Sequence, residues 1–505
     1  MPLARMTVLV LAIIVACSAN IIAMMPVYGQ ETTPPEQQPP ASSDVPLQSI
    51  GAPYVFDDPE FTVQKYAGGL RFPTSMAFLG QNDILVLEKN DGTVRRIING
   101  SLLPDPLLDV NVGNLDERGM LGIAVSENEQ LGVTYVFVYF TEMSDRDGSD
   151  VNGTIPVGNR LYRYELSEGK LVNGKMLLDL PAKFTDNHNG GKLIIGPDDN
   201  LYLTVGDQQE PGQGEFTHIT TTQNQDGAAY PDGTGGILRI TQDGKPVQNL
   251  FGGKYPIDLY YAYGIRNSFG IDFDPVTGKL WDTENGPDLK DEINLVEPGF
   301  NGGWRQLQGL ADNDSDLSKL VEFPGLSVPK DSLIGRAEAL SYEAQGLGGK
   351  YSDPEFVWQK PIVPTAIQFW DSEELPGRYE NDLFVASFQS GEIYNFNLNE
   401  DRTALALSGP LEDKVEHNHE GYDGIKFARN FGAITDIKVG PDGYLHVITF
   451  FSGEVYRILS VEDAANSSIP EFPIQIMMVL VVPSAFAAMI LLRRFFSSTN
   501  SALTP

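Results

Sequence analysis

The sequence predicts an all-β protein: a six-bladed β-propeller with four-stranded antiparallel blades, preceded by an N-terminal signal segment and followed by a C-terminal transmembrane helix. Three observations predict the propeller. Short apolar runs alternate with Pro-Asp, Asp-Gly and Gly-rich turn signals, and few amphipathic helical windows lie between the two ends. One phrase recurs: an apolar strand, a Pro-Asp or Asp-Gly turn, a Leu-x-Val or Leu-x-Leu strand, then a closing Gly-x-(Val/Ile/Leu)-x-Arg-Ile. A repeat of about 40–80 residues holding several strands is the mark of blades set around a central channel.

The clearest copies span 74–97, 191–240 and 434–458, and weaker ones fill 119–166, 265–296 and 364–398. Residues 47–460 are therefore assigned to the propeller. That length exceeds what one core usually covers, and radial repetition gives each blade its own interfaces. A pair of β-sandwiches is the structural alternative. Residues 208–234 and 310–351 exceed the repeat and are expected to form loops on one face, where such folds place function.

The ends carry their own signals. Residues 1–29 combine an early Arg5 with apolar patches and read as a secretory signal; 30–46 are rich in Pro, Gln, Glu and Ser and read as a disordered tether. After a linker at 461–473, residues 474–492 form an uncharged run long enough to span a bilayer. Arg493 and Arg494 open a polar tail at 493–505. By the positive-inside bias, the propeller is expected outside the cell, anchored at its surface by a single C-terminal helix. Pro470-Glu471-Phe472-Pro473 with this run resembles the PEF-type sorting tail of archaeal surface proteins.

Of the 505 residues, 68 are Asp or Glu and 35 Lys or Arg, a formal net charge of −33. Such a field repels phosphate backbones and excludes nucleic acid as a partner, while its carboxylates suit hard cations such as calcium. The single cysteine, Cys17, lies in the leader, so neither a disulfide framework nor a cysteine metal site is available to the propeller.

Two segments place polar groups where a corner between strands needs only Gly and Pro. In Asp186-Asn187-His188-Asn189-Gly190-Gly191, His188 precedes a strong strand and can point into the channel with one ring nitrogen free to accept a proton. The plainer reading is a hydrogen-bonded turn histidine. In the second, Gly264-Ile265-Arg266-Asn267 is followed by Glu284-Asn285-Gly286-Pro287 and Asp291-Glu292-Ile293-Asn294. Arg266 offers a fork of donors to a carboxylate or quinone oxygen, and the carbonyls around Gly286 and Pro287 suit a hard cation. A turn with Asx-type bonds and a surface ion pair is the alternative there. His417-Asn418-His419-Glu420 could ligate a transition metal but lacks a distant third ligand, so a solvated loop is expected. Asn99, Asn152, Asn313 and Asn466 begin glycosylation-type triplets, which occur often by chance.

Taken in order, residues 117–124, the His188 segment with Val205-Gly206-Asp207, residues 264–267, and 285–287 with 291–294 resemble the glucose/sorbosone dehydrogenase family, which includes soluble quinoprotein glucose dehydrogenase and the aldose sugar dehydrogenases. The resemblance covers residues 60–459 and implies a six-bladed propeller with pyrroloquinoline quinone across the channel mouth. It further implies calcium held by the Gly286 and Pro287 carbonyls, with Asp291 and Glu292 at acidic positions near the calcium loop. His188 then falls at the general base that deprotonates an aldose at its anomeric hydroxyl, and Arg266 at the group that stabilises the resulting oxyanion. Glu117, Asn187, Arg266, Asn267, Gln389 and Thr435 fall at cofactor positions, and a membrane-associated carrier is the implied electron acceptor. The chain departs from the active pattern at three of these. Glu117 stands where many active members have Gln, Gln389 where they have Lys, and Thr435 where they have Arg. For a tricarboxylate cofactor each lost cation costs about 1–3 kcal/mol of binding. The competing expectation is a non-catalytic propeller of the same family that binds a glycan or a protein at the cell surface.

Overall fold

The recurring phrase works as a turn device. In residues 196–200 the Gly196 N–H donates to Asn200 O at 2.9 Å and Asp199 adopts a left-handed φ of 60°. In residues 440–444 the Gly440 N–H donates to Tyr444 O at 2.9 Å and Gly443 sits at φ 80°. Proline sets the first turn residue, and Asp, Asn or Gly tolerates the positive φ that follows, so each copy folds two apolar runs against one another.

The computed structural model describes residues 54–144, 150–151, 156–182, 186–208, 219–224, 228–287, 289–311, 347–372, 374, 377–417 and 421–466. Their strands form six hydrogen-bonded sheets. We number the sheets by their innermost strands: Pro73–Gly80 (sheet 1), Met120–Asn128 (sheet 2), Leu193–Ile195 (sheet 3), Ser268–Phe273 (sheet 4), Pro364–Trp370 (sheet 5) and Ile434–Val439 (sheet 6). Each innermost strand touches the next, and the last touches the first. The ring is closed by an early strand: Phe61–Gly68 pairs antiparallel with Glu454–Ser460 as the outer strand of sheet 6, Phe61 opposite Ser460 and Gly68 opposite Glu454.

The core is divided accordingly. Separate apolar clusters fill the gap between each sheet and the next. Leu85 packs with Phe140 between sheets 1 and 2, Tyr139 with Leu203 between 2 and 3, and Ile237 with Ile271 between 3 and 4. Trp281 packs with Phe369 between 4 and 5, Trp370 with Ile437 between 5 and 6, and Ile448 with Met76 between 6 and 1. At roughly 25 cal/mol per Å² of apolar surface, every such interface stabilises both sheets it joins.

Uniform four-stranded antiparallel blades are not what forms. Sheets 2 and 6 have four strands; sheets 1, 4 and 5 have five, and sheet 3 has six. Parallel strands extend two edges, with Ala262 opposite Phe300 in sheet 3 and Val357 opposite Val415 in sheet 4. Long connections return along these edges and satisfy backbone groups that an open edge would leave unpaired. The expected membrane span is also corrected: among the described residues no helix is long and apolar enough to cross a membrane, against the expectation of a single C-terminal anchor and surface placement. The helix at this end, Val461–Asn466, has six residues and carries Glu462 and Asp463. At 1.5 Å per residue it extends only about 9 Å, far short of a hydrocarbon layer. The expected signal (1–29), tether (30–46) and span (474–492) lie outside the described residues.

Charges cross the ring axis. Lys192, just before the inner strand of sheet 3, forms a buried ion pair with Asp436 of sheet 6, whose other oxygen accepts Ser75 Oγ–H at 3.2 Å and Met76 N–H at 3.0 Å from sheet 1. Further along the strands, Asp272 Oδ2 accepts Gln368 Nε2–H and Phe369 N–H, both at 2.8 Å, and burial pushes the carboxyl up to about 7 against these donors, Lys438 and Lys192. Lys192→Met leaves Asp436 buried and unpaired and is expected to cost about 3–5 kcal/mol in denaturant unfolding, while joint replacement of both residues by apolar ones costs much less. Asp272 favours folding in its protonated form. Its contribution is complete below about pH 4 and is lost as pH rises through 7, so Asp272→Asn is expected to flatten the melting-temperature profile across that window.

Candidate functional site

The strand Leu201–Val205 ends in Gly206-Asp207, and this ending sets the histidine. A Cβ on Gly206 would lie 2.3 Å from the His188 carbonyl oxygen, so only glycine permits the two backbones to approach this closely. His188 itself is held at φ 56°, a conformation that a non-glycine residue keeps only when its surroundings impose it. Its Nδ1 lies 2.6 Å from Asp207 Oδ1, and both residues are buried. The second carboxylate oxygen accepts the indole N–H of Trp304 at 2.7 Å. An ionised carboxylate only accepts, so Nδ1 carries the proton and Nε2 keeps a free lone pair. Among the described residues the ring makes no other hydrogen bond.

Loops at the starts of the inner strands of sheets 2, 3 and 4 meet beside this pair. Asn267 Nδ2 donates to both oxygens of Glu117, at 3.2 and 3.1 Å, and its Oδ1 accepts Gly190 N–H at 3.2 Å. Glu117 Oε2 also accepts Asn189 N–H at 3.2 Å. Arg266 donates its backbone N–H to Glu284 Oε1 at 2.6 Å and Nη1–H to Asn285 O at 2.8 Å, and its guanidinium lies 5.5 Å from the Trp304 ring centroid. Among the described residues its buried Nε has no partner, nor has Asn285 Oδ1. Burial pulls the guanidinium below the usual arginine range, opposed by Asp207, Glu117 and Glu284. Asn187 is half-buried next to His188. Of the expected residues, Glu117, Asn187, His188, Arg266 and Asn267 are thus brought together.

Gln389 and Thr435 are not joined to them by any hydrogen bond or ion pair among the described residues. Thr435 Oγ1 donates to Pro73 O at 2.8 Å, tying sheet 6 to sheet 1, and Gln389 is exposed. The rim here is aromatic rather than cationic: Phe450 lies 5.2 Å from Phe72, 5.7 Å from Phe388 and 5.1 Å from Phe451.

The proposed cation loop is built from the backbone. Asp291 Oδ1 accepts Gly286 N–H at 2.9 Å and Oδ2 accepts the N–H groups of Ile362 and Val363 at 2.7 and 2.8 Å. Burial pushes Asp291 up to about 6 against those three donors. Its lone pairs are engaged in fastening the Gly286-Pro287 turn to sheet 5. Glu292 accepts Gly309 N–H and stands opposite Glu284 in the ladder; burial pushes it up to about 8. Glu284 is driven well above the carboxylate range by burial and then by the charges of Glu292 and Asp282. Among the described residues no three His, Cys, Asp or Glu side chains are arranged to hold a metal ion. His417 bonds Asp413 Oδ2 at 3.1 Å and Gln359 Oε1 at 3.3 Å, while 418–420 lie outside the described residues.

Several contributors escaped the sequence reading. Asp207 was visible only as the end of a motif, and Trp304 only as an aromatic after the turn Asn301-Gly302-Gly303. Lys89 brings an unforeseen cation to the Glu117 side. Its Nζ donates to Asn90 Oδ1 at 2.9 Å and Asn114 O at 3.2 Å, and burial lowers it to about 8, with Glu117 and Asp116 opposing. A cavity of about 760 Å³ lies elsewhere, at the far ends of the inner strands, lined by Phe78, Asp272, Gln368 and Lys438.

Comparison with known proteins agrees with this architecture. The quinoprotein glucose dehydrogenase B of Acinetobacter calcoaceticus is 31% identical over 433 residues, covering 77% of this chain and 85% of that protein. An aldose sugar dehydrogenase of Escherichia coli is 25% identical over 398 residues, covering 77% and 90%. The structure of the PQQ-bound aldose sugar dehydrogenase of Streptomyces coelicolor shares the fold, with a TM-score of 0.54 at 22% identity over 79% of this chain and 98% of that one. The family model for glucose/sorbosone dehydrogenase matches residues 70–331 and 338–457, and the chain that carries this ring and these loops belongs to that family.

Proposed function

We propose that the protein is a sugar dehydrogenase that oxidises an aldose at its anomeric carbon with pyrroloquinoline quinone and calcium. The observation that carries this reading is the pairing of an oriented imidazole with a guanidinium whose Nε–H has no acceptor among the described residues. His188 exposes Nε2 because Asp207 holds Nδ1, and Arg266 keeps a buried Nε–H without an acceptor beside it. A binding module has no physical need for a proton acceptor next to an oxyanion donor.

The donor set fits the quinone cofactor on this side. Arg266 and Asn267 would face its polar edge, and the Gly286 and Pro287 carbonyls would take the cation. Bound there, the cofactor supplies a two-electron acceptor and calcium polarises it. His188 Nε2 accepts the proton of the anomeric hydroxyl, and the Asp207 carboxylate stabilises the imidazolium that forms. Arg266 presents its N–H groups to the oxygen on which negative charge develops, and its burial among apolar and carboxylate neighbours strengthens that bond. On the Gln389 and Thr435 side, anchoring of cofactor carboxylates falls to neutral groups, and Lys89 stands between Phe72, whose carbonyl accepts its N–H, and Glu117.

The neutral aromatic rim supports a second reading, a propeller that binds a glycan without turning it over. Purified protein supplied with the quinone and calcium separates the two: the enzyme reading expects aldose-dependent dye reduction, and its absence despite bound cofactor sinks it. His188→Ala is expected to lower kcat about 10²–10⁴-fold with cofactor binding retained. Arg266→Gln is expected to lower kcat/KM by about 10²–10³-fold, and a variant as active as the parent would remove Arg266 from the assignment.

A further inference from the structure

We infer that Trp304 is a positioning residue for both halves of the site, a role that rests on the dehydrogenase reading above and extends it. One side chain reaches both reacting groups. The indole Nε1–H donates to Asp207 Oδ2 at 2.7 Å, while Asp207 Oδ1 lies 2.6 Å from His188 Nδ1. The π-face of the same ring lies 5.5 Å from the Arg266 guanidinium carbon. Trp304 is itself fixed along its backbone. Its N–H donates to Gly264 O at 3.0 Å, its carbonyl accepts Asn224 Nδ2–H at 2.9 Å, and the following Arg305 N–H donates to Gln223 O at 3.1 Å. The ring therefore has little freedom, and the distance between the imidazole and the guanidinium is set through it.

Two physical effects follow. A hydrogen bond from a neutral donor spreads the Asp207 charge over two partners and weakens its pull on the imidazole proton, so the indole adjusts how readily His188 gives up a proton. Cation–π attraction in a buried setting holds the guanidinium flat against the ring, so Arg266 meets the substrate oxygen without first being ordered. Among the described residues, the charged groups around His188 include Asp207, bonded to its ring, Asp186 two residues before it with its ion-pair partner Arg118, and Glu117, which accepts the N–H of the following Asn189. Arg266 and Arg305 act on Asp207 electrostatically from the other side. Trp304→Phe changes none of these charges and keeps an aromatic face.

The test compares parent and Trp304→Phe proteins. Without the indole donor the carboxylate holds the imidazolium more tightly. The acid limb of the pH profile of kcat/KM is expected to move to higher pH, with a loss of about tenfold near neutrality. The His188 Nδ1–H proton resonance is expected to shift as its bond to Asp207 strengthens. Trp304→Leu, which also removes the face under Arg266, should raise KM in addition. An unchanged limb together with an unmoved Nδ1–H resonance would overturn the inference. The resonance needs no cofactor, so it reports on the tether even if the parent shows no turnover, an outcome that counts against the dehydrogenase reading alone. If Trp304→Phe does not fold, Asp207→Asn reports the same bond from its other end through the Trp304 indole resonance, which must move if the tether exists.

Discussion

Closure of the ring is the constraint on which everything else depends. Glu117, His188 and Arg266 are separated by long stretches of chain, and each lies at the start of the inner strand of a different sheet. They meet because every sheet is wedged against two neighbours and the early strand Phe61–Gly68 is hydrogen-bonded to the last, Glu454–Ser460. With no disulfide available, apolar packing between sheets and this one ladder hold the circle. The Lys192–Asp436 pair adds a strut across the middle, and its hydrogen bonds to Ser75 and Met76 bring a third sheet into register.

The site has two unlike sides. Where sheets 2, 3 and 4 meet, polar side chains are joined in a nearly continuous network, and buried carboxylates back the Arg266 guanidinium. Where sheets 5, 6 and 1 meet, four phenylalanines and an exposed amide replace charge. A ligand lying across the mouth would be oriented by hydrogen bonds on one side and by apolar contact on the other. On the dehydrogenase reading proposed above, proton transfer and charge stabilisation would draw on the first side, whereas affinity for an anionic ligand would draw on both, with neutral residues at 389 and 435.

What the sequence disclosed follows from how local each signal is. The Gly-Pro-Asp turns were legible because five consecutive residues contain the whole device. His188 and Arg266 drew notice as polar groups beside glycines at strand starts, but a turn histidine and an Asx-bonded turn fitted the same residues, and the roles proposed for them came from the resemblance of the segments taken together. The Trp304–Asp207 bond joins residues 97 apart, and nothing near either residue signals the other. The parallel edge strands were hidden for the same reason, since two-residue pairings such as Phe300–Asn301 are too short to show periodicity. Asp291 was placed near a cation only by the resemblance, and nothing in its neighbours in sequence announces that its oxygens accept the N–H groups of Gly286, Ile362 and Val363.

The seam between Phe61–Gly68 and Glu454–Ser460 sets an early and a late strand of the ring side by side in one sheet. Just ahead of it Val55–Phe56 pairs with the sheet 5 strand Lys426–Arg429, and Arg429 and the nearby Arg378 form ion pairs with Asp57 and Asp58, latching this segment to a second neighbour. Such a molecule works as a belt with a buckle. Its circumference does not depend on where the buckle falls, so the order of its sheets along the polypeptide is one of several linear spellings of the same circle.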